Sequence, residues 1–318
     1  GIWSRDGAWD VPDPSHTLVE SYADGWGWSV PVSSSVRYVA FMVDPRTTSL
    51  SKTADTTSVY HGELNKTVQL LRMVRGARLM RRPWGRDASV YSASEFGGSS
   101  FLLVGDAASS VDPLSSFGVR KALMSAWLAA VVTRTKFRRS EMEPKALALF
   151  TRHETQVFEA SRKLSASYFS DAGISGAHPF WVDRSEVAES PFQLESYEFT
   201  ELDDGSLARD AFESLRQASG INLRVTPAVS LTKKAAIRDD EVILEESVVV
   251  DGWPATETGL CFLRGVNVPL LVDMAGDYSQ VPDLFEAYNR ATHPVPLEEF
   301  LRVLSLLLAK GALRNLAE

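Results

Sequence analysis

One short segment of the chain combines residue types that could hold a ligand. Residues 101–104 (FLLV) are predicted to form a buried strand, and Gly105 follows them where the backbone can approach a ligand closely. Asp106 then presents a carboxylate, which accepts hydrogen bonds from ligand hydroxyl groups. The segment therefore predicts a strand end suited to binding hydroxyl groups.

A second ligand-binding feature lies a few residues further along. Asp112-Pro113 is predicted to fix a turn, and residues 115–118 lead into the N-terminus of a long helix. Unpaired N–H groups and the helix dipole at such a terminus favour an electron-rich or anionic group. The spacing alone is equally compatible with an ordinary strand, turn and helix that bind nothing.

Several helices and strands must position these residues. Runs rich in β-branched and aromatic residues, separated by turn-like Asp24-Gly25 and Ser33–Ser35, predict a β-meander. Apolar residues at helical spacing predict the long helix, with Ala122, Ala126 and Ala130 as a seam that packs against a sheet. The predicted strands cover 16–22, 26–32, 36–43 and 241–250, and the predicted helical segments cover 63–75, 118–137, 143–169, 282–290 and 297–310.

The run Gly105-Asp106-Ala107-Ala108, followed by Asp112-Pro113 and Gly118, resembles the second flavin-binding motif of the FAD-dependent aromatic hydroxylase and halogenase superfamily. The resemblance implies FAD as the cofactor. Asp106 would bind the ribityl hydroxyls, and the loop before the helix would lie beside the flavin ring. The residues implied in cofactor binding are Gly105, Asp106, Ala107, Pro113, Gly118 and Val119.

A second motif favours the halogenase branch. Trp26, Trp28 and Pro31 lie in a segment (WGWSVP) that is similar to the W-x-W-x-I-P signature of flavin-dependent halogenases, with Val30 in place of Ile. Hydroxylases often have histidine at the position of Ser109. Taken alone, two tryptophans at alternate positions more often pack a sheet face. The motif indicates a halogenase only in combination with the Gly-Asp motif that follows it.

The resemblance also implies a halide site and a missing catalytic group. Halide would bind at the backbone N–H groups of Ser116, Phe117 and Gly118. Ser115 occupies the position of a glutamate that assists the tryptophan-specific subgroup. The lysine that relays hypohalous acid is expected upstream of Gly1, so no catalytic residue is assigned. No G-x-G-x-x-G turn occurs in the sequence, and the resemblance covers residues 16–135; we expect the chain to be the C-terminal portion of a longer protein.

Composition restricts the other function classes. A net charge of −8 argues against nucleic-acid binding, and Cys261 as the single cysteine excludes a multi-cysteine metal site. The sequence contains no H-x-H or H-x-x-x-H pair that would predict a metal site. No apolar run approaches the roughly 20 residues that are needed to span a membrane.

We expect a cytoplasmic protein with a small aromatic substrate, free or carrier-tethered, and a flavin reductase as partner. The arginines of residues 72–86 form either a solvated face or a contact for FAD phosphates or that reductase.

The sequence thus predicts an α/β (α+β) fold: part of the FAD-binding fold of flavoprotein monooxygenases, with an antiparallel substrate-domain sheet and a mostly helical C-terminal region. The expected function is halogenation of an electron-rich aromatic with reduced FAD, O2 and halide. Aromatic hydroxylation, or a non-catalytic scaffold that binds a peptide or carrier protein, are the alternatives. The predicted domains are 1–95 (substrate-binding sheet), 96–170 (second half of the FAD-binding domain), 171–235 (connecting region) and 236–318 (small C-terminal α/β unit).

Overall fold

The computed structural model describes residues 1–46, 48, 55–172, 178–186, 207–256 and 259–317. The chain divides into two compact units. Unit 1 comprises Gly1–Phe96, Leu103–Ser125 and Glu154–Gln193, and unit 2 comprises Gly97–Leu102, Ala126–His153 and Leu194–Glu318. The domain limits expected from the sequence stay a prediction.

Unit 1 is built on an antiparallel sheet with the strand order β2-β3-β4-β1-β5. The predicted meander is confirmed, because its three strands pair in sequence and Trp26 and Trp28 lie opposite Met42 and Ala40. The strands of this sheet are β1 (Ile2–Ser4), β2 (Leu18–Tyr22), β3 (Gly25–Pro31), β4 (Val36–Val43) and β5 (Arg78–Leu79).

Two helices, α1 (Thr56–Asn65) and α2 (Gln69–Val74), supply the other half of a core with this sheet. The single helical segment predicted over residues 63–75 is thus broken in two. The break is stabilised by Glu20 of β2, whose carboxylate accepts hydrogen bonds from the N–H groups of Val68, Gln69 and Leu70. A carboxylate at that position satisfies N–H groups that have no partner inside the helix.

The predicted strand over residues 101–104 is wrong. Leu102 forms only an isolated bridge with Gly97, and the Gly98 N–H donates to the Phe101 carbonyl. The two glycines allow the chain to turn back on itself here, so the apolar run FLLV ends up as one side of a tight turn. Two short strands near the same region, β6 (Tyr91–Ser92) and β7 (Ser109–Ser110), pair antiparallel.

Three helices follow: α3 (Gly118–Arg138), α4 (Glu143–Asp171) and α5 (Pro179–Ser185). The positions of α3 and α4 confirm the predicted helices, but the packing face predicted for α3 is wrong. Ala126 and Ala130 are exposed, and Trp127 is 54% exposed. Because apolar residues surround most of the circumference of α3, their periodicity could not identify the buried face.

Unit 2 contains a long hairpin formed by β9 and β10. The turn residues Asp239 and Asp240 both have positive φ, which is typical of a two-residue hairpin turn. The elements are α6 (Leu207–Gln217), β8 (Leu223–Val225), β9 (Val229–Arg238), β10 (Glu241–Val250), β11 (Phe262–Leu263), β12 (Val266–Asn267), α7 (Val268–Met274), α8 (Val281–Ala291), α9 (Leu297–Ala309) and β13 (Leu313–Asn315).

The C-terminal elements predicted from the sequence, β10, α8 and α9, are confirmed. Helix α9 buries Phe300, Leu304 and Leu307 in a core that the other elements of unit 2 share. In the residues described between 171 and 235, α5, α6, β8 and most of β9 were expected only as connecting structure. None of the helices in the described ranges is long and apolar enough to cross a membrane.

Hydrogen bonds from Arg37 in β4 link the sheet of unit 1 to the segment that precedes β2. Its guanidinium is fully buried and donates to Ser29 Oγ at 2.8 Å, to the Pro14 carbonyl at 2.7 Å and to the His16 carbonyl at 2.6 Å. Replacing it with methionine leaves these acceptors without a donor, so we expect Arg37→Met to lower the free energy of unfolding by about 2–4 kcal/mol.

Urea unfolding followed by tryptophan fluorescence measures this loss. Arg78→Met is the matched control, since Arg78 lies in the same sheet with an exposed side chain. Equal unfolding midpoints for the two variants would show that the Arg37 hydrogen bonds add nothing to stability.

Candidate functional site

The segment from Gly105 to Ser109 takes a conformation that the sequence motif requires. Gly105 has φ of +61°, and a Cβ added there would lie 3.1 Å from the Cβ of Ala122 in α3. A glycine is therefore needed both for the left-handed backbone and for the close approach to the helix. The Gly105–Ala107 turn that follows leaves the Asp106 side chain exposed, while its carbonyl accepts a hydrogen bond from the Tyr91 hydroxyl.

The loop before α3 is ordered by its own side chains. Asp112 accepts a hydrogen bond from the Leu114 N–H at 2.9 Å, and the Ser115 hydroxyl donates to the Asp112 carbonyl at 2.8 Å. Burial raises the pKa of the Asp112 carboxyl, whereas the Leu114 hydrogen bond and the charge of Arg184 act to lower it. Ser116 then adopts a left-handed conformation with φ of 53°.

The three amides predicted to bind halide are not equivalent. The Ser116 N–H donates to the Pro113 carbonyl at 3.0 Å, and the Phe117 N–H makes a long contact of 3.4 Å with Ser115 Oγ. Gly118 is the first residue of α3, where backbone N–H groups have no acceptor inside the helix. Phe117 and Gly118 are therefore better placed than Ser116 to donate to a ligand. The halide assignment stays a prediction.

A cavity of about 470 Å³ in unit 1 brings the two sequence motifs together. Trp26 of the W-x-W segment forms part of its wall, and Leu114, Ser115 and Ser116 of the loop before α3 form another part. Of the predicted site residues, Trp26 and Ser116 line it, whereas the other nine do not: Trp28, Pro31, Gly105, Asp106, Ala107, Pro113, Phe117, Gly118 and Val119. The remaining lining residues are Val19, Ser21, Tyr168, Ala172 and Trp181.

Those remaining residues were missed in the sequence analysis. Val19 and Ser21 belong to β2, Tyr168 and Ala172 lie at the end of α4, and Trp181 lies in α5. No spacing pattern connects positions that are so far apart in sequence. The one signal available was the concentration of aromatic residues in 168–181, which sequence reasoning left unused.

Aromatic rings form the apolar side of the cavity. The Trp26 ring lies 4.7 Å from that of Trp28, and Trp26 packs in one cluster with Phe169, Phe180 and Trp181. The two buried indoles differ in their hydrogen bonds. The Trp181 N–H donates to the carbonyls of Tyr22 and Ala23, both at 3.1 Å, whereas the buried Trp26 N–H has no acceptor in the part of the chain that the structure describes.

The arginines of residues 72–86 are partly neutralised on the surface. Arg72 pairs with Asp10 at 3.2 Å and Arg82 with Asp55 at 3.4 Å, while the Arg81 guanidinium lies 4.2 Å from the ring centroid of Trp84. These contacts favour the solvated-face interpretation of the stretch. Across the described ranges, no group of three or more His, Cys, Asp or Glu side chains could hold a metal ion.

The difference between the two indoles can be tested with one substitution at each. Trp26→Phe removes an N–H that has no acceptor and keeps an aromatic ring, so we expect it to change the free energy of unfolding by less than about 1 kcal/mol. Trp181→Phe leaves two carbonyls without their donor, and we expect a loss of about 1–3 kcal/mol. Chemical unfolding of both variants gives the comparison, and a larger loss for Trp26→Phe would contradict it.

The chain is similar to known proteins both in sequence and in fold. The family model described as tryptophan halogenase matches residues 6–226. Over 106 residues the chain is 33% identical to a 1H-pyrrole-2-carbonyl-[peptidyl-carrier protein] chlorinase of Pseudomonas fluorescens, a match that covers 33% of this chain and 23% of the chlorinase.

Two solved structures share the fold over nearly the whole chain. The flavin-dependent halogenase CmlS superposes with a TM-score of 0.63 at 19% identity, covering 99% of this chain and 62% of that one. The peptidyl tryptophan dihydroxylase QhpG superposes with a TM-score of 0.62 at 22% identity, covering 98% and 63%. The chain thus spans somewhat less than two thirds of the length of these structures.

These similarities confirm the predicted superfamily and fold class. The α/β architecture with antiparallel sheets is that of a flavin-dependent halogenase, and FAD is the cofactor that the name of a further structural relative, the FAD-dependent halogenase CndH, specifies. The chain belongs to the tryptophan halogenase family.

Proposed function

We propose that this chain forms the flavin-facing and substrate-facing parts of an FAD-dependent halogenase that acts on an electron-rich aromatic. The observation that supports this proposal best is the shared cavity. Trp26, from the motif typical of halogenases, and the loop residues Leu114–Ser116, from the flavin-binding motif, line the same 470 Å³ space. A cavity of this size is within the range of small-molecule sites.

The residues around Gly105 fit the cofactor. The left-handed Gly105 keeps the backbone free of a Cβ, the exposed Asp106 carboxylate can accept hydrogen bonds from ribityl hydroxyls, and the start of α3 offers amides to an electron-rich ring edge. Bound FAD supplies the oxidising chemistry with O2. The chain's own residues orient the cofactor and supply an aromatic wall for the substrate.

The halide is assigned to the amides of Phe117 and Gly118. The positive end of the α3 dipole adds a favourable field for an anion there. Ser116 contributes through its left-handed backbone, which turns the chain into the helix. Ser115 replaces the glutamate of the tryptophan-specific subgroup, so this site does not supply a carboxylate at that point.

The substrate is assigned to the cavity between Trp26, Tyr168 and Trp181, where a planar ring can pack against aromatic side chains. The sequence relative that chlorinates a pyrrolyl group on a peptidyl carrier protein supports a substrate delivered on a carrier. A flavin reductase is the proposed source of reduced FAD.

Hydroxylation is the second candidate, because one structural relative is named as a dihydroxylase of peptidyl tryptophan. Both reactions use the same cofactor, and a shared fold does not decide between them. The need for halide separates them.

We expect product formation to require halide. The complete gene product would be supplied with FAD, a flavin reductase, NADH and O2, and offered phenol, pyrrole and indole compounds, free and as carrier-protein thioesters, with bromide or in halide-free buffer. Mass spectrometry should detect brominated product with bromide and no product without it. Oxygenated product formed equally well in both buffers would support hydroxylation and overturn halogenation.

We expect Asp106→Asn to weaken FAD binding by about 10-fold or more, since hydrogen bonds to a charged group contribute about 1.5–3 kcal/mol. Asp87→Asn is the matched control, because Asp87 is also an exposed carboxylate of unit 1 and lies outside the motif. Flavin fluorescence titration measures both. Equal dissociation constants for Asp106→Asn and the parent protein would remove Asp106 from the cofactor site.

A further inference from the structure

Two charged side chains on helices α3 and α4 are buried, and the proposed function uses neither. Lys121, in the first turn of α3, and Glu154, in α4, are each only 1% exposed. Transferring an ammonium or a carboxylate group out of water has a large free-energy cost unless other groups compensate it. Packing alone does not compensate the cost of burying the Lys121 ammonium group, so its polar contacts must do so.

Lys121 has two backbone carbonyls as acceptors. Its Nζ donates to the Gly105 carbonyl at 2.7 Å and also to the Ser109 carbonyl. One helical turn further along α3, Ser125 Oγ accepts a hydrogen bond of 3.3 Å from the Gly105 N–H. Helix α3 thus holds the two ends of the segment from Gly105 to Ser109 from one side.

Asp106 lies between those two ends. The Tyr91 hydroxyl binds its carbonyl, so the short turn is fixed by α3 at both ends and by Tyr91 near its middle. The Asp106 carboxylate, in contrast, is exposed. This arrangement immobilises the backbone while it leaves the ligand-binding group accessible.

Glu154 contributes a buried negative charge from α4. Burial lowers the pKa of the Lys121 ammonium, and the negative charges of Glu154 and Asp106 act in the opposite direction. Burial raises the pKa of Glu154, against the effects of the Ser125 hydroxyl and the Lys121 charge. The Glu154 carboxylate oxygens have no hydrogen-bond partner of good geometry among the residues that the structure describes.

We propose that Lys121 is a positioning residue for FAD binding: by bonding the Gly105 and Ser109 carbonyls it sets the direction in which Asp106 presents its carboxylate to the cofactor. The negative charge of Glu154 opposes the effect of burial on the pKa of the Lys121 ammonium. The part of this inference that concerns FAD rests on the proposed function, whereas the part that concerns the loop backbone does not.

Lys121→Met is the informative variant, since methionine fills nearly the same space and has no N–H donor. We expect amide hydrogen exchange in residues 105–110 to accelerate by about 10-fold or more, because hydrogen bonds from a charged donor contribute about 1.5–3 kcal/mol of free energy. FAD binding should weaken by a similar factor. Lys136→Met is the matched control: Lys136 lies in the last turn of the same helix and also bonds a backbone carbonyl, that of Ser99. It should leave both quantities unchanged.

The double variant Lys121→Met/Glu154→Gln separates loop positioning from charge compensation. Lys121→Met alone leaves the Glu154 charge without its compensating cation, so its melting temperature should fall, and the second substitution should restore much of that loss. Loop exchange and FAD affinity should stay impaired in the double variant. Recovery of all three quantities would show that Lys121 only neutralises Glu154 and would overturn the proposal.

Two other results are decisive. Loop exchange that is the same in Lys121→Met and the parent protein would disprove the backbone contacts as the source of order. If the complete gene product does not bind FAD, and loop exchange is faster in Lys121→Met, the proposed cofactor would be refuted and Lys121 would remain the residue that orders the loop.

Discussion

The backbone conformation of residues 105–109 depends on helix α3, and the candidate site depends on that backbone. Gly105 can approach the helix only without a Cβ, and Lys121 and Ser125 bond the loop from the helix side. The same helix begins at Gly118 with amides that can face an anion. One helix therefore contacts the loop of residues 105–109 and also presents the N-terminus that the proposed halide site uses.

The cavity depends on a different constraint, the packing of aromatic rings against the sheet of unit 1. Trp26 is held by its strand register opposite Met42 and by contact with Trp28, Phe169, Phe180 and Trp181. The Trp181 N–H donates to the carbonyls of Tyr22 and Ala23, whereas the Trp26 N–H has no acceptor within the described part of the chain. The Trp181 indole is thus fixed by hydrogen bonds, whereas the Trp26 indole is held by its strand and by ring packing.

The family and the fold support a flavin-dependent oxidation but do not separate halogenation from hydroxylation. The family match and the fold shared with CmlS support a flavin-dependent oxidation, while the fold shared with QhpG shows that the same framework occurs in an enzyme that adds oxygen. In the function proposed above, the arrangement at Phe117 and Gly118 and the shape of the aromatic cavity would decide between halide and oxygen transfer. These are differences of a few side chains on one framework.

The sequence by itself determined the local features: the Gly-Asp turn, the meander, helices α3 and α4 and the family resemblance, because each depends on residues that are close in sequence. Tertiary structure decided the rest. The cavity joins β2, β3, α4 and α5, and the apolar residues of α3 surround too much of the helix to indicate which face is buried. Residues 101–104 carry a strand composition, yet the glycines at 97 and 98 turn them into a loop. The sequence places Lys121 in the first turn of α3, and only the folded chain shows its side chain buried with two carbonyls as acceptors, since burial depends on neighbours that are distant in sequence.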